Sequence, residues 1–222
     1  MAPLFKPALA TVPIILTALG LYSGRDELGK PYVLSNYYAC ERRWDDILAL
    51  GRRLPKGRIN VFVNHDVLRA LYHTGRLPHD MFTFPLNPLA VAGPEPLERT
   101  LAGLLEQNPR TKMAFEYLMA CYLLTGKVDK VTENLHRLDD LGYRTPPTLY
   151  EEAALIHYVS QRHRPDVGQI KISPETIKRY QRFVQIRSAM TPQNQREMLS
   201  QLIREFGASY FFYFAFDAVG QL

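Results

Sequence analysis

Apolar side chains recur at intervals of three and four positions from Leu34 to Phe206, which places them on one face of each of a series of helices. A striped helix leaves its apolar face wet unless a neighbour covers it, so such a chain must fold as packed helices. Helix punctuation falls between the stripes. SNYYACERRWDDILALGRRLP predicts a short helix ending near Arg42-Arg43. A second helix follows, faced by Trp44, Ile47, Leu48 and Leu50 and closing at Pro55. NHDVLRALYHTGRLPHDMF opens on Asn64 or Asp66 as a helix cap and stops at Gly75, a residue that tolerates the left-handed turn conformation. Arg42-Arg43-Trp44 and Gly75-Arg76-Leu77 stand 33 positions apart, near the period of helix-turn-helix repeats.

The third unit is the most regular. Asn108-Pro109 reads as a cap with proline at the first helical position, and Ala114, Tyr117, Leu118, Cys121, Tyr122 and Leu124 follow up to Thr125-Gly126. A second helix carries Val128, Val131, Leu135, Leu138 and Leu141 and ends at Gly142. Further helices are predicted over Leu97–Gln107, over Thr148–Gln161, and after the hydroxyl-proline starts Ser173-Pro174 and Thr191-Pro192. Ile177, Tyr180, Phe183 and Val184 form one late face, and Met198, Leu199, Leu202, Ile203 and Phe206 another, closed by Gly207. RHRPDVGQIK reads as a loop.

Three traits of the third unit resemble tetratricopeptide units: small or apolar residues along the first helix, a glycine before the turn, and an apolar pair three apart opening the second. They are carried here by Ala114, Ala120, Gly126, Val128 and Val131. The first unit matches in its second half. The second departs, because Pro78, Pro85, Pro88, Pro94 and Pro96 within residues 76–96 forbid a regular second helix. Met81, Phe82, Phe84, Leu86, Leu89 and Val91 make that insert too apolar for a free linker, so it is expected to pack across the helices. The resulting fold expectation is all-α: a tetratricopeptide-like α-solenoid of antiparallel helix pairs over residues 24–222, with one proline-rich irregular insert.

Residues 1–23 form a separate apolar segment. PALATVPIILTALGLY, residues 7–22, carries no charge and is flanked by Lys6 and by Arg25, Asp26 and Glu27. A membrane-spanning helix needs about twenty such residues, so three readings stand: a secretory signal with Ala18-Leu19-Gly20 as cleavage site, the remnant of a membrane helix, or a buried core helix. At the other end, six aromatic residues fill the seven positions from Tyr210 to Phe216. They require either a capping element against the repeat core or a membrane interface.

Together the apolar start, YYACERRWDDIL, LRALYHTGRLPHDMFTFP and GASYFFYF resemble, over about residues 15–216, the carboxy-terminal half of a family of uncharacterised bacterial polytopic membrane proteins. The resemblance implies a helical-repeat domain that follows a membrane region, with Trp44, Gly75, Arg76, Leu77, Met81 and Phe82 in structural positions. It supplies no activity.

Chemistry-bearing patterns are sparse. A hydrophobic fraction of 46% against 22% charged residues excludes disorder as the main state. The net charge of +5 is spread, since Lys and Arg alternate with Asp and Glu without a run of five, which argues against nucleic-acid binding. Cys40 and Cys121, 81 positions apart and without a C-x-x-C, read as buried structural thiols. Asp66 beside His65 is a cap, His73 favours a helix C-terminus, and His157 and His163 lack the spacing of a metal pair, so no metal is expected. His79-Asp80 is the one His-Asp pair worth testing. No G-x-S-x-G, Ser-x-x-Lys or phosphate-cradling glycine loop occurs. The basic group Arg42, Arg43, Arg52, Arg53, Lys56 and Arg58 is interrupted by Glu41, Asp45 and Asp46 and reads first as a solvated face.

The sequence therefore points to a non-catalytic helical-repeat scaffold or protein-interaction domain of a membrane-associated protein. It would need no cofactor and would be held at the membrane by its N-terminal segment, with the helical domain on the extracytoplasmic side. Candidate partner-binding residues are Met81, Phe82, Phe84, His79 and Asp80; candidate membrane contacts are Ile14, Ile15, Leu16, Leu19, Tyr210, Phe211 and Phe212. The alternative is the accessory domain of a membrane enzyme, such as a glycosyl or lipid-linked transferase, with its catalytic part elsewhere.

Overall fold

The computed structural model describes residues 29–55, 59–86, 96–160 and 172–217. Among them every regular element is helical. The helices are α1 (Gly29–Cys40), α2 (Trp44–Arg53), α3 (Val61–His73), α4 (Leu77–Asp80), α5 (Pro96–Gln107), α6 (Lys112–Leu124), α7 (Val128–Asn134), α8 (Thr148–Ser160), α9 (Pro174–Ser188), α10 (Gln195–Phe206) and α11 (Tyr210–Phe212). A 3₁₀ turn extends α4 to Thr83, another extends α7 to Arg137, and a π turn, Tyr213–Asp217, follows α11.

Four of the turns share one backbone device. After α1, α3, α6 and α7 a single residue adopts positive φ: Arg42 (55°), Gly75 (68°), Gly126 (70°) and Gly142 (78°). At each, the N–H of that residue donates to the carbonyl three back and the next N–H to the carbonyl five back, as with Gly75 to Tyr72 (2.9 Å) and Arg76 to Leu71 (2.7 Å). This pairing satisfies carbonyls that a helix end leaves orphaned, and it reverses the chain within two residues. After the first three, the next helix begins two residues on, at Trp44, Leu77 and Val128.

Packing runs mainly between helices close in sequence. α1, α2 and α3 pack mutually, α5 lies on α6, α6 on α7, α7 on α8, α8 on α9 and α9 on α10. Gly51 lets α2 approach α3: a Cβ there would meet the Val67 Cγ2 methyl at 2.9 Å. α8 is the hub, touching α4, α7, α9 and α11. It buries Leu149, Tyr150, Ala153, Ala154 and Ile156, while α6 buries ten of its thirteen residues, so neither shows a polar face.

Three predicted helix starts move. The cap of α3 is Asn60, whose side chain accepts the Val63 N–H at 2.9 Å; Asn64 and Asp66 lie inside the helix and are buried. Asn108 ends α5 by donating its N–H to Leu104 and forms a turn through Pro109, so α6 begins at Lys112. Thr191-Pro192 is likewise a turn, closed by the Asn194 side chain accepting the Thr191 N–H at 2.7 Å, and α10 starts at Gln195. Ser173 behaves as predicted, capping Thr176 N with Pro174 in the first turn of α9.

Candidate functional site

The proline-rich insert packs inward as far as it is described. Met81 and Phe84 are buried, which corrects their assignment to a partner-facing surface: Met81 lies in the core, and the Phe84 ring sits 3.3 Å from where a Cβ on Gly51 would stand. The insert residues from 87 to 95, including Leu89 and Val91, lie outside the described residues. Phe82 is half-buried, with its ring 5.4 Å from Tyr210 and 4.3 Å from Tyr213. The aromatic terminus is thus the insert's own partner. Tyr210, Phe211 and Phe212 are buried, correcting their assignment to a membrane interface, and Tyr213 donates its hydroxyl to the Leu124 carbonyl at 2.8 Å. Ile14, Ile15, Leu16 and Leu19 lie outside the described residues. His79 is exposed, and Asp80 accepts from Arg76 Nε at 2.7 Å across the first turn of α4.

Two adjacent carboxylates on α8 hold α9 and α11. Glu151 accepts from Ser173 Oγ (2.7 Å) and Thr176 Oγ1 (2.6 Å) at the start of α9. Glu152, fully buried, accepts the Tyr210 N–H at 2.7 Å and faces the Arg179 guanidinium at 3.0 Å. Burial pushes the Glu152 carboxyl up to about 7, against the opposing pull of Arg179 and of the Tyr210 and Phe211 N–H groups. On α6, buried Glu116 accepts the Tyr143 hydroxyl, and burial raises its carboxyl above the ordinary range. Perturbed carboxyls mark catalytic sites in many proteins. Here each is tied to a fold-closing donor, which gives it a structural task.

The surface that combines concavity with unspent polar groups lies between α1, α2 and α3. It encloses about 640 Å³. One wall is aromatic: the His73 ring stacks on Trp44 at 4.3 Å with 11° between planes, and Arg69 reaches over the same indole at 5.6 Å. His73 is preceded by Tyr72, whose ring lies 5.9 Å from Tyr117 on α6, so the aromatic row continues beyond the groove. Asn36 and Cys40 of α1, and Arg42 in the turn after it, line the same groove. Cys40 is exposed, correcting the expectation of two buried thiols; Cys121 is buried, and its thiol is pushed up to about 11 by desolvation. On the floor, buried Asp66 accepts from Ser35 Oγ at 2.9 Å.

A second concavity, between α9 and α10, is lined by Lys178, Arg179, Arg182 and Glu205. Both of its arginines are already matched, Arg179 by Glu152 and Arg182 by Glu205 at 3.4 Å. In the first groove neither Arg42 nor Arg69 has a carboxylate partner among the described residues. Sequence reading missed this site because Trp44, Arg69 and His73 sit on two helices whose crossing only the fold reveals. The available signal was Arg42, a non-glycine residue where Gly75 stands 33 positions later.

Among the described residues no three His, Cys, Asp or Glu side chains gather as a metal site, and no helix is long and apolar enough to cross a membrane. Neither a curated protein nor a solved structure matches the chain. A family model does match, over residues 90–217, which include Glu116, the Glu151-Glu152 pair and the aromatic terminus and exclude the groove. That span is more than half of the 222 residues, and the chain belongs to DUF6057, a family of unknown function.

Proposed function

We propose that the chain is a non-catalytic helical-repeat scaffold that holds a partner protein in the groove between α1, α2 and α3. The observation that carries this reading is the groove's combination of a Trp44–His73 stack with two guanidiniums lacking carboxylate partners among the described residues. Stacked aromatics and arginines are the side chains that dominate binding energy at protein interfaces. The four like-built turns and the packing of neighbouring helices support a tetratricopeptide-like solenoid, an architecture that leaves one side open for such contacts.

The same reading keeps the protein at a membrane, with the helical domain on the extracytoplasmic side. Support comes from the uncharged segment 7–22 and from a patch near the start of the described chain, where Val33, Tyr37, Val61 and Phe62 are all exposed. The binding claim is tested by affinity capture with the full chain and with Trp44→Ala plus His73→Ala. Proteins captured by the native chain should be lost from the double variant while its circular dichroism is unchanged. Capture of the same set by both would end this reading.

A further inference from the structure

The four positive-φ turns are alike in hydrogen bonding and differ in one residue. Gly75, Gly126 and Gly142 occupy three of them without a side-chain penalty, whereas Arg42 holds φ 55° with a Cβ. At that position an L side chain crowds the following carbonyl, a cost of about tenfold or more in the folding equilibrium. Backbone strain of this kind persists where the side chain is needed. Arg42 is not needed for packing, since it is exposed, while the neighbouring Arg43 pairs with Asp46 at 2.7 Å. What Arg42 does is line the groove, as Arg69 of α3 also does.

Two guanidiniums lining one concavity match a carboxylate, because each presents a planar fork of donors to its two oxygens. The other linings narrow the choice. Asn36 offers an amide that both donates and accepts, as an extended peptide backbone requires. Asp66 lines the same groove, where a carboxyl oxygen can accept from a peptide N–H as it accepts from Ser35. The Trp44–His73 stack supplies a flat wall for aliphatic or aromatic neighbours.

We infer that the groove binds an acidic stretch of the partner protein, one Asp or Glu side chain being spanned by Arg42 and Arg69. The inference rests on the scaffold reading proposed above and names the chemistry of its partner.

The test is fluorescence anisotropy on the full chain with a fluorescein-labelled peptide of alternating Glu and Tyr, beside its Gln-for-Glu counterpart. The Glu peptide should bind, more weakly as salt rises, and the Gln peptide at least about tenfold more weakly. Arg42→Gly and Arg69→Gln should each lose about tenfold in affinity, and Arg196→Gln, at an exposed position of α10 outside the groove, should lose none. Arg42→Gly should at the same time melt at a higher temperature than the native chain, so its loss of binding would not be a loss of folding.

Equal binding of the Gln peptide, unchanged affinity in Arg42→Gly, or no binding of the Glu peptide at millimolar concentration would each overturn the inference. So would displacement of the peptide by inorganic phosphate at concentrations where glutamate has no effect, which would make this a phosphate site. If the peptide result fails while Trp44→Ala plus His73→Ala still loses captured partners, the scaffold reading stands and only the acidic assignment falls.

Discussion

Replacing Glu152 with Gln isolates one ionisation from the rest of the fold. The carboxyl is fully buried between α8, α9 and α11, and its pKa moves from the ordinary 4.5 to about 7. At about 1.4 kcal/mol per pH unit, that displacement corresponds to roughly 3 kcal/mol of preference for the protonated form on folding. The sign follows directly. The raised group favours the folded state in full below pH 4.5, and the favour is lost as pH rises through about 7. Glutamine keeps the oxygen that accepts the Tyr210 N–H, and it cannot ionise. In urea titrations followed by far-UV circular dichroism, the variant should therefore gain on the native chain by up to about 3 kcal/mol between pH 4.5 and 8. Below pH 4.5 the two should lie close together. A difference that stays constant across this window, or that moves the other way, would refute the assignment of Glu152 as a buried, desolvated carboxyl.

Met81→Ala should destabilise by about 2–5 kcal/mol, because a fully buried side chain at the junction of α4 with the core leaves a cavity; thermal or denaturant unfolding checks it, and a surface-like loss below about 0.5 kcal/mol would contradict its burial. Gly126→Ala should cost about 1–2 kcal/mol by placing a Cβ at φ 70°, read by the same unfolding assay. A membrane-impermeant maleimide added to intact cells should label exposed Cys40 and spare buried Cys121, as mass spectrometry of the tryptic peptides would show; labelling only after lysis would put the helical domain inside the cytoplasm.

Helix identity was legible wherever local chemistry decides it. Apolar spacing located α2, α5, α6 and α8, the Ser173-Pro174 pair located α9, and Gly75, Gly126 and Gly142 marked the turns, because each signal acts within a few residues of where it is read. Starts were misplaced at Asn64, Asn108 and Thr191, where several cap-forming residues compete nearby. Which one caps depends on whether the N–H groups ahead of it are already paired. The functional assignments to Met81, Phe84 and Tyr210–Phe212 failed for a different reason. Apolar insert and aromatic terminus, more than 120 positions apart, each read alone as needing cover, and the sequence could not show that they cover each other through Phe82, Tyr210 and Tyr213. Buried Glu151 and Glu152 were equally silent, since their partners lie on other helices.

A partner resting against the Trp44–His73 wall would lie within reach of Cys40, an exposed lining residue of the same groove, so a photo-crosslinking side chain placed at position 40 reports that contact in the cell and leaves the wall intact. Illumination should produce discrete higher-mass adducts from position 40 and none from position 136, an exposed histidine in the turn that extends α7. Absence of adducts at 40, or the same adducts from both positions, would contradict a partner in this groove.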